Sequence, residues 1–144
     1  MDTTPSLTLL EIRKTLSADP QTIFDALTQT GQLNQWFYAM DEGRAETEVD
    51  LRVGGKYSIG MVNDQGETVA TPHGEFLEID PPHKLSMTWK TDGFVEHSIL
   101  TFQLTAKDEG TELVLTHELP ESTVEPHRQG WATCLNHLES LLKQ

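Results

Sequence analysis

Only one residue of the 144 is a cysteine, Cys134. No intrachain disulfide can form, which fits a reducing compartment. Positive charge is scarce too: 10 Lys and Arg stand against 23 Asp and Glu, for a net charge of −13. Non-specific nucleic-acid binding needs a positive surface, so it is excluded. Attraction to an anionic membrane face fails on the same ground. The acidity either keeps the protein soluble or offers a face to a basic partner. No stretch approaches the ~20 apolar residues of a membrane span. The leading MDTTPSLTLLEIRK lacks a basic region followed by an apolar run, so it is not read as a signal peptide. A cytoplasmic protein is expected.

Catalytic and metal-binding motifs are also missing. His73, His83, His97, His117, His127 and His137 include no pair at a tight ligand spacing. There is no HExxH and no cysteine pair, so no metal and no cofactor are expected. Nothing resembles a nucleophile elbow. Gly54-Gly55 is not a phosphate cradle, because it joins two expected strands and opens no helix. No catalytic residue is assigned.

What is present is organised around the last stretch, His127 to Gln144. Trp131, Cys134, Leu135, Leu138, Leu141 and Leu142 recur at spacings of three and four, the period of one apolar helix face. Such a face must be buried, and the large partner available is a sheet. Cys134 on that face reads as a small core hydrophobe. Residues 7–16 read as a strand after a frayed lead, 1–6, with Leu10, Ile12 and Leu16 on one face. Asp19-Pro20 starts a short helix carrying Ile23, Phe24 and Leu27. A second begins near Thr30 with Leu33, Trp36 and Phe37. Six strands follow: 44–51, 56–62, 68–79, 84–90, 95–106 and 111–119. Pro72 and Gly74 predict a bulge or an edge in the third of them. The segment 121–126 reads as a polar lead into the long helix. Short turns between strands predict an antiparallel sheet throughout, and the whole chain, 1–144, reads as one domain.

Four stretches carry a family resemblance: VDLRVGGKYSIGM, GEFLEIDPPHKLSMTWK, GTELVLTHEL and GWATCLNHLESLL. They resemble the activator-of-heat-shock-protein-90-ATPase homologue-like family of the START-like (SRPBCC) helix-grip superfamily, over about Leu7 to Leu142. The resemblance implies an α+β helix-grip fold. A curved antiparallel sheet of about seven strands wraps a long C-terminal helix, with two short helices after the first strand. A cavity between sheet and helix is common in such folds. Relatives include ligand carriers, cyclase-like enzymes and co-chaperones, so the resemblance carries fold further than function. The eukaryotic co-chaperones also have a separate N-terminal domain contributing to ATPase activation, which the resemblance does not include.

Tyr57, Ile59, Met61, Met87, Trp89, Trp131 and Leu135 are candidate walls of such a cavity; the alternative is a packed core. His97 shares a strand face with Val95 and Ile99. It is either a polar tip orienting a ligand or a core histidine satisfied by a neighbour. His117-Glu118 and Glu96-His97 are candidate acid/base dipeptides, but each can send only one member inward. The expected function is non-enzymatic binding of a small hydrophobic molecule. The alternatives are a co-chaperone-like protein with a chaperone partner, or a cyclase- or hydrolase-type enzyme.

Overall fold

The computed structural model describes residues 7–91 and 98–143. Strand β1, Leu7–Leu16, is followed by helices α1, Pro20–Thr28, and α2, Thr30–Trp36. Asp19 caps α1 by accepting the Thr22 amide at 2.7 Å, with Pro20 just inside the helix. That bond holds the Asp19 carboxyl below its ordinary range. Trp36 of α2 is fully buried and donates its indole N–H to the Ala26 carbonyl of α1 at 2.8 Å. This pins the two short helices together.

Seven more strands follow: β2 Gly43–Val49, β3 Lys56–Asn63, β4 Thr68–Ala70, β5 His73–Asp80, β6 Lys84–Trp89, β7 Ser98–Lys107 and β8 Gly110–Pro120. Seven of the eight form one curled antiparallel half-barrel in the order β1-β8-β7-β6-β5-β3-β2; β4 pairs with β3. The register lines up an inner row of Leu10, His117, Leu100, Met87 and Phe76, one from each of β1, β8, β7, β6 and β5. All five are buried, as strand alternation requires.

The expected strand 68–79 is divided at Thr71-Pro72 into β4 and β5. Pro72 has no N–H to give a ladder. Its carbonyl accepts from Ile59, and the β3 register shifts between Met61 and Val62. Gly74 is a close approach: a Cβ there would lie 2.0 Å from the Thr88 carbonyl oxygen of β6. The Val53-Gly54-Gly55 turn forms with Gly54 at φ +83°, a backbone that a side chain resists. The expected turn at 91–93 and the start of the expected strand 95–106 fall largely outside the described residues.

Helix α3 spans Val124–Leu142 behind a 3₁₀ turn at Glu121–Thr123. It begins earlier than the expected His127 because Pro126 falls in its first turn, where no intrahelical N–H is needed. The 19 residues run roughly 28 Å at 1.5 Å per residue. Val124, Trp131, Cys134, Leu135 and Leu138 turn inward. The His137 Nε2–H donates to the Met40 carbonyl at 2.7 Å. Lys14 of β1 lies 3.6 Å from Glu139.

Candidate functional site

At one end of the helix–sheet interface the core becomes aromatic. Phe37 follows α2 as its C-cap, Trp89 ends β6, Phe102 comes from β7 and Trp131 from α3. Trp131 lies 5.3 Å from Phe37, 5.4 Å from Trp89 and 5.9 Å from Phe102, centroid to centroid. His117 of β8 meets Trp89 edge to face at 5.3 Å.

His117 is completely buried and both its ring nitrogens are used. The Trp131 indole N–H donates to His117 Nδ1 at 3.1 Å. An indole nitrogen only donates, so Nδ1 is the acceptor and the ring proton sits on Nε2. Nε2 then donates to Ser98 Oγ at 2.9 Å, and the Ser98 hydroxyl donates to the Trp89 carbonyl at 3.2 Å. This chain ties α3 to β8, β7 and β6. Burial, and then the neighbouring His127, push the His117 pKa down to about 3. The imidazole is neutral near pH 7, which suits a fixed structural link and not a poised acid or base. Its strand neighbour Glu118 points to the other face, half-buried.

Beside this chain is a pocket of about 240 Å³. Phe37, Trp89 and Trp131 form its aromatic wall. Met61, Ala70 and Pro72 come from the place where β4 and β5 part. Pro126, Gly130 and Cys134 come from α3, and Thr91 and His127 supply the polar lining. Ala39, also in the lining, and Pro126 are exposed, so the pocket opens to the surface there. The His127 Nδ1–H donates to the Thr123 carbonyl at 2.8 Å. Burial pushes the Cys134 thiol up to about 12, so it stays protonated and is a wall, not a nucleophile. Among the described residues, no group of His, Cys, Asp or Glu is placed to hold a metal ion.

Three of the sequence candidates, Met61, Trp89 and Trp131, line the pocket. Tyr57, Ile59, Met87 and Leu135 are buried in the core outside its lining. The arrangement is regular. Met61 is two residues beyond Ile59 and four beyond Tyr57 along β3. Trp89 is two beyond Met87 along β6. Trp131 is one turn before Leu135 on α3. Of the candidates on each element, only the one nearest the pocket reaches it. The Tyr57 hydroxyl instead donates to the Thr88 carbonyl at 2.5 Å, and burial holds its phenol far above the ordinary pKa. His97 lies outside the described residues. Ile99, on the strand face assigned to it, is 40% exposed. Phe37 and Gly130 are not among the wall residues expected from the sequence, and His117 is expected there only as half of a candidate acid/base dipeptide. His117 had a signal, the alternation Leu113, Leu115, His117, Leu119 along β8.

A model of the Activator of Hsp90 ATPase homolog 1-like protein family matches residues 17–143. The chain belongs to this family. Solved structures show the same fold. Protein CV1439 from Chromobacterium violaceum is 24% identical, with a TM-score of 0.82 over 94% of this chain and 97% of its own. A protein from Rhizobium leguminosarum is 21% identical, with a TM-score of 0.83 over 97% of each chain. DynU16, from the dynemicin biosynthetic locus, is 19% identical, with a TM-score of 0.78 over 94% of this chain and 47% of its own. At these identities the likeness shows the fold alone. No curated protein matches the chain. The Activator of Hsp90 ATPase homolog 1-like fold is one associated with small-molecule binding. Among the described residues no helix is long and apolar enough to cross a membrane.

Proposed function

We propose that this chain binds a compact, largely apolar small molecule in the pocket between α3 and the sheet, without converting it. The observation that carries this reading is an apolar pocket of about 240 Å³ with a three-ring wall of Phe37, Trp89 and Trp131. Gly130 adds support. A glycine inside a helix is destabilising by about 1 kcal/mol relative to alanine. A methyl group there would meet only the Ala39 side chain, at an ordinary 3.5 Å. The missing methyl leaves room in the pocket. Among the described lining residues there is no carboxylate and no lysine, His117 is occupied and Cys134 is protonated. These groups favour holding over chemistry. The origin of DynU16 in a biosynthetic locus accords with a small-molecule role on this fold.

A thermal-shift screen of compact aromatic and alicyclic compounds tests the reading. A pocket ligand binds the folded state alone, adding roughly 2.7 kcal/mol of stability at a hundredfold excess over its Kd. Ala70→Phe, at the half-buried strand break, should abolish the shift and leave the fold intact. A screen without a stabilising compound would contradict the reading. A second reading, a chaperone-like protein partner, is favoured by the exposed Leu7, Leu9 and Ile99. If that is the function, Leu9→Glu should abolish partner capture while Ala70→Phe leaves it unchanged.

A further inference from the structure

The protein contains three tryptophans, and their indole N–H groups have different fates. Trp36 donates to the Ala26 carbonyl at 2.8 Å, and Trp131 donates to His117 Nδ1 at 3.1 Å. Trp89 Nε1 has no partner among the described residues. Among the described residues it is the one buried side-chain nitrogen or oxygen left without a hydrogen bond. Trp89 is only 5% exposed, so bulk water does not satisfy it. Native proteins leave few buried donors unpaired, because such a donor has given up water for nothing. This donor belongs to a residue of the pocket wall.

We infer that the molecule held in this pocket is a one- or two-ring compound whose neutral oxygen accepts the Trp89 indole N–H. The inference rests on the binding role proposed above and adds the ligand's size and its polar handle. The size comes from the volume. An apolar cavity of about 150 Å³ is enough for benzene, and pockets for drug-sized ligands run about 300–1,000 Å³. At about 240 Å³ this pocket falls between them. It takes a ring or two with small substituents, not a sterol or a long acyl chain. The neutrality comes from the lining. No lysine or arginine is among the described lining residues, so a carboxylate would lose its water without gaining a formal counter-charge there. A ketone or ether oxygen takes the indole proton without that penalty. The same demand gives selectivity: an isosteric hydrocarbon fills the space but leaves Trp89 unpaired.

The test uses two probes of one shape, 1-tetralone, which has a carbonyl, and tetralin, which has none. Both are titrated into ¹⁵N-labelled protein while the three indole N–H signals are followed, assigned by Trp→Phe substitutions. 1-Tetralone should bind about tenfold tighter than tetralin, the share of one hydrogen bond. It should move the Trp89 indole proton downfield, and Trp89→Phe should erase its advantage. Equal affinities with the Trp89 signal unmoved would overturn the inference and leave the pocket reading standing. An advantage that survives in Trp89→Phe would place the acceptor on another donor and overturn it as well. Binding of neither probe would overturn both readings. If Trp89→Phe does not fold, the direction of the Trp89 shift in the parent protein decides.

Discussion

The two ends of α3 meet the sheet in different ways. Toward its C-terminus the helix contributes Leu135 and Leu138 to the core that Leu16, Leu113 and Leu115 also fill. All five are 1% exposed or less. They are aliphatic, with no polar atom to satisfy. Toward its N-terminus the helix contributes Pro126, Gly130 and Trp131, which meet Phe37, Trp89 and a broken strand around a pocket. That end uses rings with polar edges, a residue with no side chain, and a histidine between two hydrogen bonds. Close aliphatic packing has no room for a guest. On the proposed function, the aliphatic end serves stability alone, and the aromatic end, through Trp131, serves both stability and ligand recognition.

The sharpest way to break the contrast is at the shared residue. Trp131→Ala removes a buried ring and strands His117 Nδ1, and should be destabilising by ~3–5 kcal/mol. It should also abolish binding of any pocket ligand. An unchanged denaturant midpoint would mean that the helix is not gripped as described. Leu138→Ala at the aliphatic end comes next. It should be destabilising by ~2–5 kcal/mol, and ligand affinity in the molecules that remain folded should stay at the parent value.

Acid is a gentler perturbation, aimed at the hydrogen-bond chain. The folded pKa of His117 is depressed from 6.5 to about 3. Below pH 6.5 the unfolded chain takes up a proton that the folded chain refuses. The contribution of His117 is therefore whole above pH 6.5 and is lost as pH falls toward 3, at up to ~1.4 kcal/mol per pH unit. Denaturant melts from pH 7 to 5 should show this slope, and a folded His117→Gln variant should show less of it. Equal slopes would mean that His117 is protonated in the folded protein. The smallest effect is expected at Gly130. Gly130→Ala should stabilise the helix by up to ~1 kcal/mol and weaken ligand binding, a gain and a loss from one methyl group.

Much of the fold is legible in the sequence because its causes are local. Asp19-Pro20 marks the start of α1, and the three-four spacing from Trp131 to Leu142 marks the buried face of α3. Alternation along β6 and β8 sends Leu85, Met87 and Trp89, or Leu113, Leu115 and His117, to one side. Alternation states which face a side chain takes but not how far along the sheet the pocket lies. That depends on register and on the curl of seven strands, which are set by contacts between distant residues. Hence Met87 and Trp89 are alike in sequence pattern, yet only Trp89 reaches the pocket. The strand break at Thr71-Pro72 and the role of Gly130 are harder to read. A proline suggests a bulge or an edge, and a glycine suggests only a weak helix position, until α3 and the β4–β5 break face each other.

On the proposed function, a small molecule enters at the aromatic end and not into the core beyond it. Met61 and Met87 report on the two regions: both are buried, on the inner face of the sheet, but only Met61 lines the pocket. The direct measurement is a ¹³C-methyl methionine spectrum of the protein titrated with 1-tetralone, with nuclear Overhauser contacts recorded from the ligand. Contacts and a shift are expected at the Met61 methyl, with the Met87 methyl unmoved. Contacts to Met87, or equal shifts at both methyl groups, would place the ligand inside the core and contradict this expectation.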